Sequence, residues 1–264
     1  GGMNGQFARL ASGLDAARIP WDAAQLRTVC ERVLAANSLA DAFIYFQATR
    51  GVPAPGEPVR ARVLTGTVKP TIFAYATPTP PLSAYAEPPV KSAITAPDTR
   101  WLRGHVKSIS LMGSVMAAME ASEAHADDAI LIRTMVGGEK FAAEGTSANL
   151  IAVVDAPPTR SSAKAGPHAA SIEIVTPPLD GAPILAGITR DILLQGAARR
   201  GVALSVRNLH ERELLAAREI MLCGTLTMVT AITRLNGRAV GAGTPGPEAT
   251  RLLRILVEDI LRDT

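Results

Sequence analysis

Apolar residues recur along the chain at two spacings. A spacing of three to four residues, typical of helices with one buried face, occurs in residues 21–36, 110–124, 191–200, 211–218 and 246–263, and a further helix begins at Phe7. Short runs of β-branched, aromatic and other apolar residues, typical of strands, occupy residues 41–49, 69–76, 129–134, 140–143, 150–155, 202–206, 220–223 and 228–235. Strands that cluster between helices favour an α+β fold.

A proline-rich segment interrupts this pattern. Five prolines lie between Thr77 and Pro89, and such a density opposes regular structure. It predicts a linker at residues 78–90 between a small N-terminal domain, residues 1–77, and a larger domain, residues 91–264. In the larger domain, the predicted helix 110–124 carries a stripe of methionines that we expect to pack in the core: Met112, Met116 and Met119.

Composition excludes some classes of protein. The 264 residues carry a formal charge of +3, and the basic residues are scattered, so no nucleic-acid surface is expected. No apolar run reaches the ~18 residues that a membrane span needs, and no signal peptide is visible. The cysteines, Cys30 and Cys223, lie far apart and the histidines form no metal motif. We therefore expect two buried thiols in a cytoplasmic protein, with no metal and no membrane partner.

Four short motifs carry the candidate chemistry. They are residues 98–111 with Lys107, residues 143–149 with Glu144, residues 184–191 with the sequence Gly187-Ile188-Thr189, and residues 223–225 with Thr225. A lysine whose pKa is lowered by burial can act as an amine nucleophile. A carboxylate can keep a pyridine nitrogen protonated, and a helix N-terminus can bind a phosphate. Thr189 is a candidate cap for the helix that follows it.

In this order, the four motifs resemble the cofactor site of class IV (fold type IV) aminotransferases, and most closely the D-amino acid aminotransferases. The resemblance implies an α+β fold of a small and a larger lobe, and pyridoxal 5′-phosphate bound as a Schiff base to Lys107. Lys107 would also move the proton from the substrate. By position, Glu144 would face the pyridine nitrogen, Leu185 the ring face, and Arg100 the 3′-oxygen side, paired with Asp128. The phosphate contacts would come from Arg9, Gly187, Ile188, Thr189 and Thr225.

The chain departs from the family pattern in two places. The D-amino acid enzymes carry an Arg-x-His pair after Thr-Arg-Gly, and no such pair follows Thr49-Arg50-Gly51 here. Arg60, Arg62 and Leu226 are weaker candidates for substrate binding, and the two arginines fit exposed strand-edge positions equally well. The strands that precede the first helix in the family are also missing, so we expect a small domain without its first strands.

The resemblance implies a homodimeric transaminase that works by a ping-pong mechanism. The expected substrates are a D-amino acid, such as D-alanine or D-glutamate, and a 2-oxo acid such as 2-oxoglutarate. Other chemistries on the same fold stay open: transamination of branched-chain L-amino acids or amines, and aminodeoxychorismate lysis. A non-catalytic protein of this fold is a further alternative, motivated by the missing strands and the missing Arg-x-His pair.

Overall fold

The computed structural model describes residues 2–39, 42–58, 62–63, 69–156, 171–180 and 184–262. The chain divides into two compact units. The smaller unit comprises Met3–Ala84 and Val106–Ser108, and the larger unit comprises Gly1–Gly2, Tyr85–His105 and Ile109–Thr264. The mixture of helices and strands confirms the predicted α+β class.

The smaller unit combines two helices with a hairpin. Its elements are α1 (Met3–Ala17), a 3-10 turn (Ala23–Gln25), α2 (Leu26–Asn37), β1 (Ala42–Thr49), β2 (Thr71–Pro78) and a second 3-10 turn (Leu82–Ala84). The predicted helix 21–36 thus begins as a 3-10 turn, where the Asp22 carboxylate accepts a bond from Ala24 N. Strands β1 and β2 are antiparallel, with Ala42 opposite Pro78, and α2 packs against β2.

Within the described residues, the larger unit contains one mixed sheet of ten strands. In chain order the strands are β3 (Val90–Pro97), β4 (Asp128–Thr134), β5 (Lys140–Gly145), β6 (Asn149–Asp155), β7 (Ile172–Thr176), β8 (Leu204–Val206), β9 (Leu209–His210), β10 (Glu219–Gly224), β11 (Met228–Leu235) and β12 (Arg238–Ala239). Their order in the sheet is β8-β7-β6-β10-β11-β3-β4-β5-β9, with β12 beside β11 and a further pairing of β5 with β6. Strand pairs β11–β3, β3–β4 and β7–β8 are parallel.

The central strands β4, β6, β10 and β11 are buried along nearly their whole length. This explains why their sequences are mostly apolar. Ile130, Leu150 and Leu222 are fully buried in the main core cluster. The helices are α3 (Met112–Glu123), α4 (Ile188–Arg199), α5 (Glu211–Leu215) and α6 (Pro247–Arg262). Helix α6 packs against β10, β11 and α4.

Helix α3 buries the face opposite to the one predicted. Its alanines Ala117 and Ala121 are buried against β3 and β4, whereas Met112, Met116 and Met119 are 71%, 54% and 57% exposed. The expectation that the methionines pack in the core is therefore wrong. Small side chains let the helix approach the sheet closely, and the larger methionines lie on its outer side.

Other predictions differ in detail. Strands β3, β7, β9 and β12 were not predicted. Strand β3 has few large apolar residues, and β9 and β12 have two residues each. Of the two cysteines, Cys223 is buried, and burial raises the pKa of its thiol to about 12. Cys30 is only half-buried, so the expectation of two buried thiols holds for one of them. In the part of the chain that the structure describes, no helix is long and apolar enough to span a membrane.

Candidate active site

The register of the sheet brings two of the motifs together. Glu144, near the end of β5, lies opposite Asn149 at the start of β6. Asn149 in turn lies opposite Cys223, near the end of β10. The turn at residues 225–227, which follows β10, is therefore at the same edge of the sheet as the Glu144 carboxylate. Thr225 and Leu226 are both exposed in this turn.

Glu144 is buried and surrounded by hydrogen-bond donors. Its side chain is 6% exposed. Oε1 accepts a bond from Arg100 Nη1, and Oε2 accepts one from Asn149 Nδ2 at 3.0 Å. The backbone N–H of Leu185 lies 3.3 Å from each oxygen. The second and third motifs thus meet at this carboxylate, together with Arg100 from the first.

Burial and hydrogen bonding act in opposite directions on this carboxyl group. Burial raises the pKa of Glu144 above its ordinary value, and the charge and hydrogen bond of Arg100 oppose that rise. Burial alone would lower the pKa of Arg100, but its bond to Asp98 and the charge of Glu144 raise it overall. Arg100 therefore favours the anionic form of Glu144, which burial disfavours.

Arg100 is held by a second carboxylate. Asp98 Oδ1 accepts bonds from Arg100 N at 3.1 Å and Nε at 2.9 Å. Asp98 Oδ2 accepts from Arg100 Nη2 at 2.9 Å and from Arg133 Nη2 at 2.6 Å. Burial would raise the pKa of Asp98, but the two guanidinium groups lower it overall. Arg100 is thus oriented on one side by Asp98 while its Nη1 faces Glu144.

The expected pairing of Arg100 with Asp128 is wrong. Asp128 Oδ1 instead accepts bonds from Thr146 Oγ1 at 2.7 Å and from Ala129 N at 2.8 Å. Asp98 is only two residues from Arg100, so it can bind both the backbone and the guanidinium of that residue. Asp128 instead anchors the turn between β5 and β6.

The N-terminus of α4 begins directly beside these residues. Gly187 precedes the helix in an extended conformation, and no side chain caps it. The prediction that Thr189 caps the helix is therefore wrong, because Ile188 and Thr189 are already its first two residues. The first N–H groups of a helix have no partner within it, and the helix dipole makes this end favourable for an anion. Thr189 is 9% exposed.

Arg190 fixes this end of α4 to the sheet. Its Nε donates to Thr176 Oγ1 at 3.0 Å and its Nη2 to Pro177 O at 2.9 Å. The residue is 5% exposed, and burial lowers its pKa. Neither Arg190 nor Asn149 was assigned a role from the sequence, although both belong to the motifs that carry the resemblance. The isolated sequence gave no signal of which groups their side chains contact.

The remaining candidates belong to the smaller unit. Lys107 lies in the loop between β3 and α3, within the segment Val106–Ser108, and its side chain is exposed. The expectation that this lysine is buried is therefore not met in this structure. Arg9 lies on α1, donates from Nη2 to Gln6 Oε1 at 2.8 Å, and has a pKa lowered by burial. Arg62 is exposed, and Arg60 lies outside the described residues.

Comparison with known proteins now identifies the family. The sequence model of the family "Amino-transferase class IV" matches residues 6–235. D-alanine aminotransferase from Bacillus licheniformis is 32% identical over 241 residues, covering 91% of this chain and 75% of the relative. A putative branched-chain-amino-acid aminotransferase from Methanocaldococcus jannaschii is 30% identical over 247 residues, covering 92% of this chain and 76% of the relative.

Solved structures give the same fold. The branched-chain amino acid aminotransferase from Thermobaculum terrenum, in its PLP form, matches with a TM-score of 0.77 at 20% identity, covering 99% of this chain and 79% of that one. A PLP-bound hypothetical aminotransferase from Mycobacterium tuberculosis matches with a TM-score of 0.74 at 20% identity, covering 98% and 83%. The chain therefore belongs to the class IV aminotransferases, which are transaminases that depend on pyridoxal phosphate.

Proposed function

We propose that this transaminase acts on D-amino acids, and that it passes the amino group from a donor such as D-alanine or D-glutamate to a 2-oxo acid by a ping-pong mechanism. The observation that best supports a transaminase site is the buried Glu144 carboxylate. It is bound by Arg100 and Asn149 and lies beside the N-terminus of α4. The preference for D-amino acids is supported by relatives: D-alanine aminotransferases from Bacillus licheniformis and Listeria innocua are 32% and 29% identical.

The second candidate is transamination of branched-chain L-amino acids. It is favoured by the Methanocaldococcus jannaschii relative, at 30% identity. A panel of D-amino acids, L-amino acids and simple amines separates the candidates, when each compound is scored for conversion of the bound cofactor to its amine form. Conversion by D-alanine or D-glutamate, with little by L-leucine or L-valine, is the expected result. The reverse order would overturn the proposed specificity.

The residues present fit pyridoxal 5′-phosphate. A pyridinium N–H needs an anionic acceptor, and Glu144 is a buried carboxylate beside Arg100. A phosphate dianion needs several donors, and the first N–H groups of α4 point away from the helix without partners inside it. We propose that the phosphate is bound by Arg9, the backbone of Gly187, Ile188 and Thr189, the Thr189 hydroxyl and Thr225. Leu185 would support the ring face, and Arg100 would lie near the 3′-oxygen.

When bound, the cofactor supplies an electron-withdrawing ring that lets the substrate Cα lose its proton. The chain would contribute the groups that bind and move protons. Lys107 would hold the cofactor covalently and carry the proton that leaves Cα on its Nζ atom. Glu144 would keep the ring nitrogen protonated, with Arg100 holding Glu144 in its anionic form. For the substrate, Leu226 lies beside Thr225 in the exposed turn, and Arg60 and Arg62 are weaker candidates for its carboxylate.

The phosphate contacts can be tested at Thr189. Thr189→Ala should weaken cofactor affinity about tenfold, because one hydrogen bond to a charged group is lost. At saturating cofactor, kcat should stay close to the wild-type value, since the hydroxyl takes no part in proton transfer. Equilibrium titration of the apoprotein with cofactor measures the first effect, and steady-state kinetics the second.

Two control variants sharpen this test. Thr189→Ser keeps the hydroxyl and should retain most of the affinity. Thr250→Ala removes an exposed threonine from the first turn of α6 and should change neither quantity. Equal cofactor affinities for Thr189→Ala and the wild type would remove Thr189 from the phosphate site.

We also propose that the protein is a homodimer that buries well above the ~1,000 Å² typical of biological interfaces. Helix α3 has an outer face of exposed apolar side chains, Met112, Val115, Met116 and Met119, and exposed apolar patches often mark interfaces. Light scattering at working concentration should give twice the mass of the 264-residue chain. A fully active monomer at that concentration would contradict the proposal.

A further inference from the structure

Asn149 bridges the two parts of the candidate cofactor site in the larger unit. It is 4% exposed. Its Nδ2 atom donates to Glu144 Oε2 at 3.0 Å and to the backbone oxygen of Leu185 at 2.9 Å. One side chain therefore contacts both the carboxylate and the segment that leads into α4.

The orientation of the Asn149 amide is fixed by these two partners. Both are acceptors, so only the nitrogen can face them, and a flipped amide would set its oxygen against two other oxygens. The Oδ1 atom must then point the other way, where it meets Gly187. A Cβ built on Gly187 would lie 1.8 Å from Asn149 Oδ1 and 3.0 Å from its Cγ.

Glycine is therefore required at position 187 because a side chain there would clash with Asn149, and not because of the backbone conformation. Its φ of −74° and ψ of 127° are open to any residue. Apart from Asn149, the nearest atom to such a Cβ is Arg190 Cβ at 3.6 Å, an ordinary contact. The Asn149 Oδ1 atom thus fills the space that a Cβ atom of residue 187 would need.

We propose that Asn149 is a positioning residue, which sets the Glu144 carboxylate at a fixed place relative to the N-terminus of α4. The cofactor is rigid, so the group that contacts its ring nitrogen and the groups that bind its phosphate must lie at a fixed separation. Asn149 would set that separation. This inference rests on the roles proposed above for Glu144 and for the start of α4. It assigns to Gly187 the task of leaving room for the Asn149 amide, beyond any backbone contact with the phosphate.

The inference can be tested by a double-mutant cycle on the full chain. The proteins are the wild type, Asn149→Ala, Gly187→Ala and the double variant, and the probe is pyridoxamine 5′-phosphate labelled with ¹⁵N in its ring. Each single variant should weaken binding about tenfold, because Glu144 loses a hydrogen bond or its partner is displaced. The double variant should bind about as well as Asn149→Ala alone, since no amide remains for the new Cβ to meet.

The protonation of the ring nitrogen can be measured separately, and a general loss of structure would not shift the pH at which it occurs. In the wild type the ¹⁵N chemical shift should report a protonated ring well above neutral pH. In Asn149→Ala and in Gly187→Ala the ring should lose its proton at lower pH, because Glu144 is no longer held in place. Asn37→Ala, at an exposed asparagine of α2, and Gly13→Ala, where a Cβ meets no atom within 4 Å, are matched controls that should change neither measurement.

Glu144→Gln separates this inference from the proposed function. If Glu144→Gln leaves the ¹⁵N shift and its pH dependence unchanged, the role of Glu144 fails, and the inference about Asn149 fails with it. If Glu144→Gln moves the shift but Asn149→Ala does not, only the positioning role is overturned. Losses in the two single variants that multiply to about a hundredfold in the double variant would also overturn it. Should Asn149→Ala fail to fold by circular dichroism, Asn149→Ser replaces it in the same cycle, with the same outcomes expected.

Discussion

Lys107→Ala should reduce the rate of transamination by at least ~10³-fold, because the variant lacks both the amine that would bind the cofactor covalently and the base that would move the Cα proton. The cofactor should still bind through its phosphate, since those contacts come from other residues. The change is measured as single-turnover conversion of the bound cofactor with a good amino donor, in parallel with an equilibrium titration of cofactor binding.

Lys140→Ala is the matched control. Lys140 is an exposed lysine on β5 whose Nζ lies 3.6 Å from Glu211 Oε2, and its loss should leave the rate near that of the wild type. If Lys107→Ala transaminates at a substantial fraction of the wild-type rate, Lys107 has been assigned the wrong role. A loss of rate that is as large in Lys140→Ala would point to a general effect of lysine removal on the fold.

Glu144→Gln should slow proton removal from the substrate Cα about a hundredfold. The substitution keeps the shape of the side chain and an oxygen that can accept a bond, but it removes the charge that would keep the ring nitrogen protonated. The effect should be larger on the transition state than on substrate binding, because electrons move into the ring only as the proton leaves. The Lys107 bond to the cofactor should still form, so the protein should remain coloured.

The measurement is the single-turnover rate at saturating donor, for the wild type, Glu144→Gln and Glu211→Gln. Glu211 begins α5 and pairs with Lys140 on the surface, so its variant should behave like the wild type. Equal rates for all three proteins would make Glu144 a structural carboxylate, and the electronic role would pass to another residue or be dropped.

Much of the fold could be predicted because its elements are encoded locally. Strand β11 occupies the predicted residues 228–235 without change, and β4 and β6 each begin one residue before their predictions. In these segments most residues are apolar and nearly all are buried, so the hydrophobic pattern indicates a strand clearly. The order of the four motifs likewise indicated the family, since chain order and spacing are properties of the sequence itself.

The wrong predictions concern side chains for which the sequence allows more than one set of contacts. The exposed methionines of α3 have the same spacing as a buried stripe would have, and the alternative, burial of Ala117 and Ala121, depends on how closely the sheet approaches. The family pattern paired Arg100 with Asp128, and only the folded chain shows that Asp98 and Glu144 bind it while Asp128 binds Thr146. Similarly, Thr189 is a good capping residue by type, but the helix begins one residue before it.

Identifying the lysine that carries the cofactor tests the proposed site most directly. The chain has five lysines, Lys69, Lys91, Lys107, Lys140 and Lys164, so each can be checked in one experiment. Borohydride reduction of the cofactor-loaded protein, followed by proteolysis and mass spectrometry, fixes the bond between lysine and cofactor and locates it. We expect a cofactor adduct on the peptide that contains Lys107 and a loss of visible absorbance. An adduct on any other lysine, or no adduct on a protein that transaminates, would contradict the proposed site.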